Sequence, residues 1–450
     1  MTNTYDLVVI GAGMAGIAAA NKAAASGWRT AIVDELPYGG TCALRGCDPK
    51  KILRRSAEIV DAARMMKGKG IDDAGLSVNW RDLMSHKRGF TDPVPERMEQ
   101  QLASNGVATL QGTATFVSRV AVTVDGDVHE SRRFLIATGA RPRPLEFPGA
   151  EHVIDSTRFL DLDDLPERIV FIGGGFVSFE FAHIAARAGA TVTILDRGPR
   201  PLKSFDPDLV ELLIARSAAI GIRLHRNTTV DRITAGPSGW RLDLVREDHP
   251  ETVDADLVVH GAGRRSDLDS LDLDAAGVAY SEGGVTVAPH LQSTTNEAVF
   301  AAGDAADSPG MPLTPVAVFE AKIATSNMLN GKASVPDYRG VPTAVFTVPE
   351  LARVGQLEEE ARRSGIDLDV RYTDTSRWYS NYRIGESTAA VKILIDRATD
   401  TIVGAHMFGP EYGELINFCG LAIKLGLTTK QLKSATAAYP TVGSDLGSML

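Results

Sequence analysis

Two glycine-rich turns, each set between a short apolar strand and a helix of small residues, constrain this chain more than any other feature. The first follows DLVVIG (6–11) as Gly11-Ala-Gly13-Met-Ala-Gly16 and opens an alanine-rich helix predicted to run to about Ser26. Gly11 permits the tight turn, Gly13 lets the backbone approach a diphosphate, and Gly16 lets the helix close on the strand, with the diphosphate at the helix N-terminus. A second strand, TAIVD, ends in Asp34, where a carboxylate reaches ribose hydroxyls. These residues alone admit either a flavin or a nicotinamide dinucleotide. The second turn lies in RIVFIGGGFVSFEFAHIAARAGATVTILDR, as Gly173-Gly-Gly175-Phe-Val-Ser178, with the small Ser178 in place of the usual glycine or alanine. One dinucleotide fold is therefore expected to be inserted into another, with the nicotinamide cofactor on the second.

At 450 residues the chain is too long for one core, and about three domains are expected. Its 44% hydrophobic and 23% charged residues suit a water-facing α/β protein, and no stretch approaches the ~18 apolar residues of a membrane span. The N-terminus lacks the pattern of a signal peptide, so a cytoplasmic location and no membrane partner are expected. A net charge of -10 excludes a general basic field for nucleic acid. Of the three cysteines, Cys42 and Cys47 form a C-x4-C pair ahead of a predicted helix, KKILRRSAEIVDAAR, an arrangement that suits metal binding or redox catalysis. No second Cys or His pair lies nearby at zinc-ligand spacing, so no metal site is expected. Cys419, inside LINFCGLAIKLG, reads as a core thiol.

The segment GGTCALRGCDPKK (39–51) is similar to the active-site signature of the class I pyridine nucleotide-disulfide oxidoreductases, the family of glutathione reductase, dihydrolipoamide dehydrogenase and mercuric reductase. Thr138-Gly139 in FLIATGARPRP and Gly303-Asp304 in VFAAGDAAD resemble the later FAD signatures of two-dinucleotide flavoproteins, which makes the first nucleotide FAD. The resemblance covers the whole chain and implies two Rossmann-like domains, the NAD(P) domain inserted in the FAD domain, plus a C-terminal α+β dimerisation domain. The implied boundaries are 1–147 with 265–333, 148–264, and 334–450, in a homodimer.

In that family hydride passes from a reduced nicotinamide through FAD to the cysteine pair. The resemblance makes Cys47 the charge-transfer thiolate and Cys42 the interchange thiol, with Gly40 and Thr41 beside the flavin. A helix N-terminus and nearby lysines are expected to depress the thiol pKa. Lys50 corresponds to the lysine beside flavin N5, Glu180 to its ion-pair partner, Phe176 to a residue gating the nicotinamide pocket, and Thr314 to the helix N-terminus facing flavin N1. At the second nucleotide, Asp196 stands where an acid selects NAD, yet Arg197, Arg200 and Lys203 follow it. Aligned on Ser204-Phe205-Asp206, Arg197 and Lys203 fall on the phosphate-binding positions of glutathione reductases, so NADPH is expected, with NADH as the alternative.

The pattern breaks near the C-terminus. Disulfide-reducing members carry a His-Pro-Thr segment with a glutamate shortly after it; here the residues are Tyr439-Pro440-Thr441 and Ser444. A tyrosine, with a pKa near 10, is a poor proton shuttle at neutral pH. The acceptor is accordingly left open among small disulfides or thiol compounds, metal ions, quinones and oxygen, including a metal-ion or quinone reductase related to mercuric reductase. A redox sensor without turnover is the competing class.

Overall fold

The computed structural model describes residues 3–331 and 334–450. The expected domain boundary at 333 lies outside the described residues. The chain divides into two compact units, one of Met1–Pro49, His86–Arg143 and Arg264–Tyr338, the other of Lys50–Ser85, Pro144–Gly263 and Arg339–Leu450.

The first unit is organised on strand Asn3–Ile10, whose apolar run pairs in parallel with Thr30–Asp34 on one side and Asp127–Ile136 on the other. Val107–Gln111 extends the sheet in parallel beyond Thr30–Asp34. The strand Asp127–Ile136 also meets two neighbours on its far side. Its start pairs with the antiparallel Ala121–Val124, and its end with the parallel Val299–Ala301. That late strand brings the Gly303-Asp304 turn back to the sheet end that carries the first glycine turn. Helices Met14–Ala25 and Thr314–Asn330 contribute Ala19, Ala20, Ala23, Ala321 and Ala324 to one core, where small side chains permit close packing. On another core Phe134 is fully buried and meets Phe116 edge-on, with ring centroids 5.1 Å apart.

The second unit holds a four-stranded parallel sheet in the order Arg223–His225, Thr191–Leu195, Arg168–Ile172, Leu257–His260, covered by helix Phe176–Arg187. Both faces of this parallel sheet are buried, which explains why RIVFI and TVTIL are almost continuously apolar. It also holds a five-stranded antiparallel sheet built from Thr343–Val345, Glu350–Gly355, Thr401–Gly409, Ala390–Asp396 and Leu368–Asp374. Helix Tyr412–Leu425 packs Leu415, Ile416 and Cys419 against this sheet. Its other face leaves Phe418, Leu421 and Leu425 more than half exposed.

The parallel doubly wound units and the C-terminal α+β element agree with the expected fold class. One local boundary differs: the cysteine helix begins at Cys47, three residues before the expected Lys50. Pro49 is tolerated because a first-turn N–H has no intrahelical acceptor to lose. Truncating the central ring by Phe134→Ala should cost about 3–5 kcal/mol, measured by chemical denaturation of the first unit's transition.

Candidate active site

Each glycine of the first turn has its own steric reason. Gly11 has φ +106°, and a Cβ there would collide with the Ala137 carbonyl; at Gly16 it would collide with the Gly11 carbonyl oxygen. A Cβ added at Gly13 would meet nothing within 4 Å, so that side of the backbone is open where a diphosphate would approach. Helix Met14–Ala25 has Gly13 at its N-cap, with no side-chain cap and no acid in its first turn. Its free N–H groups and dipole suit an anion. Gly40 (φ +63°) lies against Gly13, where a Cβ would come within 2.5 Å of the Gly13 Cα.

Asp34 ends its strand with its carboxylate accepting from Ala12 N at 2.6 Å and Leu36 N at 2.8 Å. Burial still pushes its carboxyl above the ordinary range. Thr138 Oγ1 is buried without a partner beside Gly139, whose φ is +74°. Burial likewise raises Asp304, in the turn Gly303–Ala305. The open turn, the uncapped helix and the unpartnered hydroxyl fit a flavin dinucleotide.

Cys42 sits in a π-helical turn, Thr41–Arg45, and Cys47 is the first residue of helix Cys47–Met65. Both are thiols in this structure, and Cys42 is hydrogen-bonded to Cys47. Thr314, the first residue of helix Thr314–Asn330, places Oγ1 3.8 Å from Cys47 Sγ and also bonds Cys42. The Cys42 thiol pKa is not lowered. Its hydrogen bond to Cys47, and then burial, push it well up, against a smaller opposing effect of Thr314. Cys419 is fully buried, its thiol pushed up to about 12 by burial.

In the second unit, the turn repeats the logic of the first with one exchange. Gly173 has φ +108°, and a Cβ there would reach within 2.6 Å of the Gly261 carbonyl carbon. Ser178 is fully buried with its hydroxyl unpartnered. It fits because residue 261 is glycine, since a Cβ at that position would collide with Ser178 Oγ. Gly175 caps helix Phe176–Arg187 without a side-chain bond, which again leaves N–H groups for an anion. Phe176 is 48% exposed, with its ring centroid 5.5 Å from Lys50 Nζ.

Lys50 and Glu180 form an ion pair, with side chains 11% and 2% exposed. At the end of strand Thr191–Leu195, Asp196 is buried and accepts from Gly198 N at 3.3 Å. Arg197 and Lys203 are exposed, and Arg200 donates to the Lys203 carbonyl at 3.1 Å. Tyr439 is 84% exposed. Ser444 donates to the Thr441 carbonyl at 2.6 Å, and Asp445 accepts from Ser380, so neither is bonded to Tyr439.

Two buried groups escaped the sequence reading. Glu320 takes Gly303 N at 2.7 Å, Ser308 Oγ at 2.6 Å and Tyr338 OH at 2.6 Å, and so pins the turn that carries Asp304. His183 lies one turn beyond Glu180 and is fully buried. Their only signal is a polar residue in the mostly apolar runs PVAVFEAKIAT and FEFAHIAA, which does not reveal what the side chain meets. Among the described residues no cluster of three or more His, Cys, Asp or Glu could hold a metal, and no helix is long and apolar enough to cross a membrane.

Family models place residues 5–321 in the pyridine nucleotide-disulphide oxidoreductases and residues 341–449 in the dimerisation domain of the same enzymes. The chain belongs to this family. Glutathione reductase of Nostoc sp. is 31% identical over 465 residues, covering 100% of both chains. Mercuric reductase of Lysinibacillus sphaericus is 30% identical over 447 residues, covering 99% of this chain and 82% of the relative. Among solved structures, the HOCl-induced flavoprotein disulfide reductase RclA from Escherichia coli, as its Cu(II) complex, superposes with a TM-score of 0.89 at 26% identity, over 100% of this chain and 99% of that one. As a member, the chain is an NAD(P)H-dependent flavoprotein oxidoreductase that uses FAD and carries the family's dimerisation domain.

The thiol geometry has a measurable consequence. Cys47 raises the Cys42 pKa both as hydrogen-bond partner and by charge, so Cys47→Ala should move the onset of Cys42 alkylation to lower pH. Iodoacetamide labelling of the reduced enzyme against pH, read by mass spectrometry, checks this; an unmoved profile contradicts it.

Proposed function

We propose that this enzyme takes hydride from NADPH and, through FAD and the Cys42–Cys47 disulfide, reduces an acceptor other than glutathione disulfide or lipoamide. The observation that carries this is Tyr439, which is 84% exposed and has no bonded carboxylate, at the position where disulfide-reducing relatives place an acid–base histidine.

In the reductive half-reaction two electrons reach the disulfide from the nicotinamide by way of the flavin, and the S–S bond opens into two sulfurs and one added proton. Cys42 holds that proton, since its bond to Cys47 and its burial oppose its ionisation. Cys47 retains the negative charge, at the N-terminus of its helix and next to the Thr314 hydroxyl. Lys50, held by Glu180, supplies a fixed cation for the flavin, and Phe176 covers the nicotinamide position. The flavin, when bound, accepts a hydride and releases electrons to sulfur. Gly11, Gly13, Gly16, Asp34, Gly40, Thr41, Thr138, Gly139, Gly303, Asp304 and Thr314 are assigned to FAD, and Gly173, Gly175 and the turn from Asp196 to Lys203 to the nicotinamide dinucleotide.

NADPH is preferred because Asp196 is committed to the Gly198 amide while Arg197 and Lys203 stand exposed beside it. The division into FAD, NAD(P) and interface segments, a cytoplasmic location and a homodimer complete the reading. Exposed Phe418, Leu421 and Leu425 on helix Tyr412–Leu425 support the homodimer. A second reading, metal-ion reduction, is favoured by the same loss of a proton donor, because a metal ion accepts thiolates and electrons without a leaving thiol to protonate. The copper complex of RclA and the mercuric reductases point the same way. An anaerobic comparison of glutathione disulfide, lipoamide, Cu(II), Hg(II) and quinones as acceptors for NADPH oxidation tests the proposal; efficient glutathione disulfide reduction would overturn it.

Arg197→Ala is expected to raise the apparent KM for NADPH by about ten- to hundredfold, with little change for NADH, since one charged hydrogen bond is lost. Steady-state kinetics with both coenzymes checks this. For Tyr439→His, stopped flow should show unchanged flavin reduction and a modest gain in disulfide turnover. Rescue should stay incomplete because Ser444 gives the imidazole no orienting carboxylate.

A further inference from the structure

Helix Phe176–Arg187 presents Glu180, His183 and Arg187 on one face, at the three- and four-residue spacing of successive turns. All three bind the short connection between strands Thr343–Val345 and Glu350–Gly355. Phe346 N donates to Glu180 Oε1 at 2.9 Å and Val348 N donates to His183 Nδ1 at 3.1 Å. Arg187 Nη2 donates to the Val348 carbonyl at 2.7 Å, and Arg54, one turn beyond Lys50, donates to the Thr347 carbonyl at 3.0 Å.

This network decides the state of His183. With Nδ1 accepting an amide proton, Nε2 carries the ring hydrogen and donates to Ser217 Oγ at 2.9 Å, which in turn donates to the Leu213 carbonyl at 2.7 Å. Burial, then the Arg187 and Arg216 cations, hold the ring well below the ordinary histidine range, so it stays a neutral acceptor. Glu180 has two oxygens and two partners: Lys50 on one, and on the other the Phe346 amide, two residues from the amide that His183 grips.

We propose that His183 is a positioning residue for the Lys50–Glu180 pair, holding Val348 so that the Phe346 amide fixes the Glu180 carboxylate and, through it, the Lys50 ammonium. The inference rests on the reading of Lys50 as the cation that tunes the flavin. A buried carboxylate with one amide and one ammonium has little freedom, and loosening the amide lets it rotate and carry the ammonium with it.

The test uses the flavin-loaded enzyme and two readouts, the rate of flavin reduction by NADPH and the flavin midpoint potential. His183→Phe, which keeps a ring but removes the acceptor, should slow reduction about tenfold and move the potential in the same direction as Glu180→Gln. His183→Gln, whose amide oxygen can accept from Val348, should recover most of the loss. The double variant His183→Phe/Glu180→Gln should be no slower than Glu180→Gln alone, because both act through one carboxylate.

Full additivity in the double variant, or a wild-type rate and potential in His183→Phe, would overturn the inference while leaving the role of the ion pair intact. A Glu180→Gln enzyme with unchanged rate and potential would overturn the reading of Lys50 and the inference with it. Should His183→Phe fail to retain flavin, Ser217→Ala replaces it: a smaller shift in the same direction supports the proposal, and wild-type behaviour overturns it.

Discussion

A buried ammonium beside a buried carboxylate is tolerated only when every oxygen and proton of the pair has a partner. Two helices and a strand connection converge on Lys50 and Glu180: Cys47–Met65 supplies the lysine, Phe176–Arg187 the acid, and the Phe346 amide a hydrogen bond to the second carboxylate oxygen. The pair therefore links the helix that begins at a redox cysteine with the helix that begins at the second glycine turn. It also links both to the start of the segment matched by the dimerisation-domain model. Arg54, His183 and Arg187 also bond the same connection, so that buried polar side chains hold a backbone turn in a place where water cannot.

The nucleotide turns obey a different constraint, the exclusion of a Cβ. Positive φ and carbonyl contacts make Gly11 and Gly173 obligatory, and the open space at Gly13 leaves room for a ligand. The exchange of glycine for Ser178 is balanced by Gly261 on the facing strand end. Both helices that follow begin without side-chain caps, leaving their dipoles and N–H groups for phosphate oxygens. The same device recurs at the cysteines, where a helix begins at the sulfur itself and Thr314 opens another beside it.

In the sequence, the departure from the disulfide-reducing pattern lies near the C-terminus, at Tyr439 and Ser444. Cys42 has its ionisation opposed by Cys47 and by burial, and Tyr439 is solvent-exposed. A glutathione reductase and a mercuric reductase match this chain at almost equal identity, 31% and 30%, so overall similarity does not choose between their acceptors. A few side chains on a shared scaffold do.

The amino-acid sequence by itself determined the two dinucleotide turns, the cysteine pair, the order of the segments and the tyrosine in place of histidine. These are local matters, in which glycine at a strained turn, alternation of small residues or two thiols at fixed spacing carry their physics within a dozen residues. Only the tertiary structure decided what the isolated polar residues do. Glu320 could have been a surface acid and His183 a core histidine until the Gly303 amide and the Val348 amide were placed against them. The same holds for Cys42, whose ionisation is opposed by its bond to Cys47 and by burial, surroundings that only folding brings to it. Hydrogen bonds and burial join residues more than a hundred positions apart, and no local pattern in the chain encodes them.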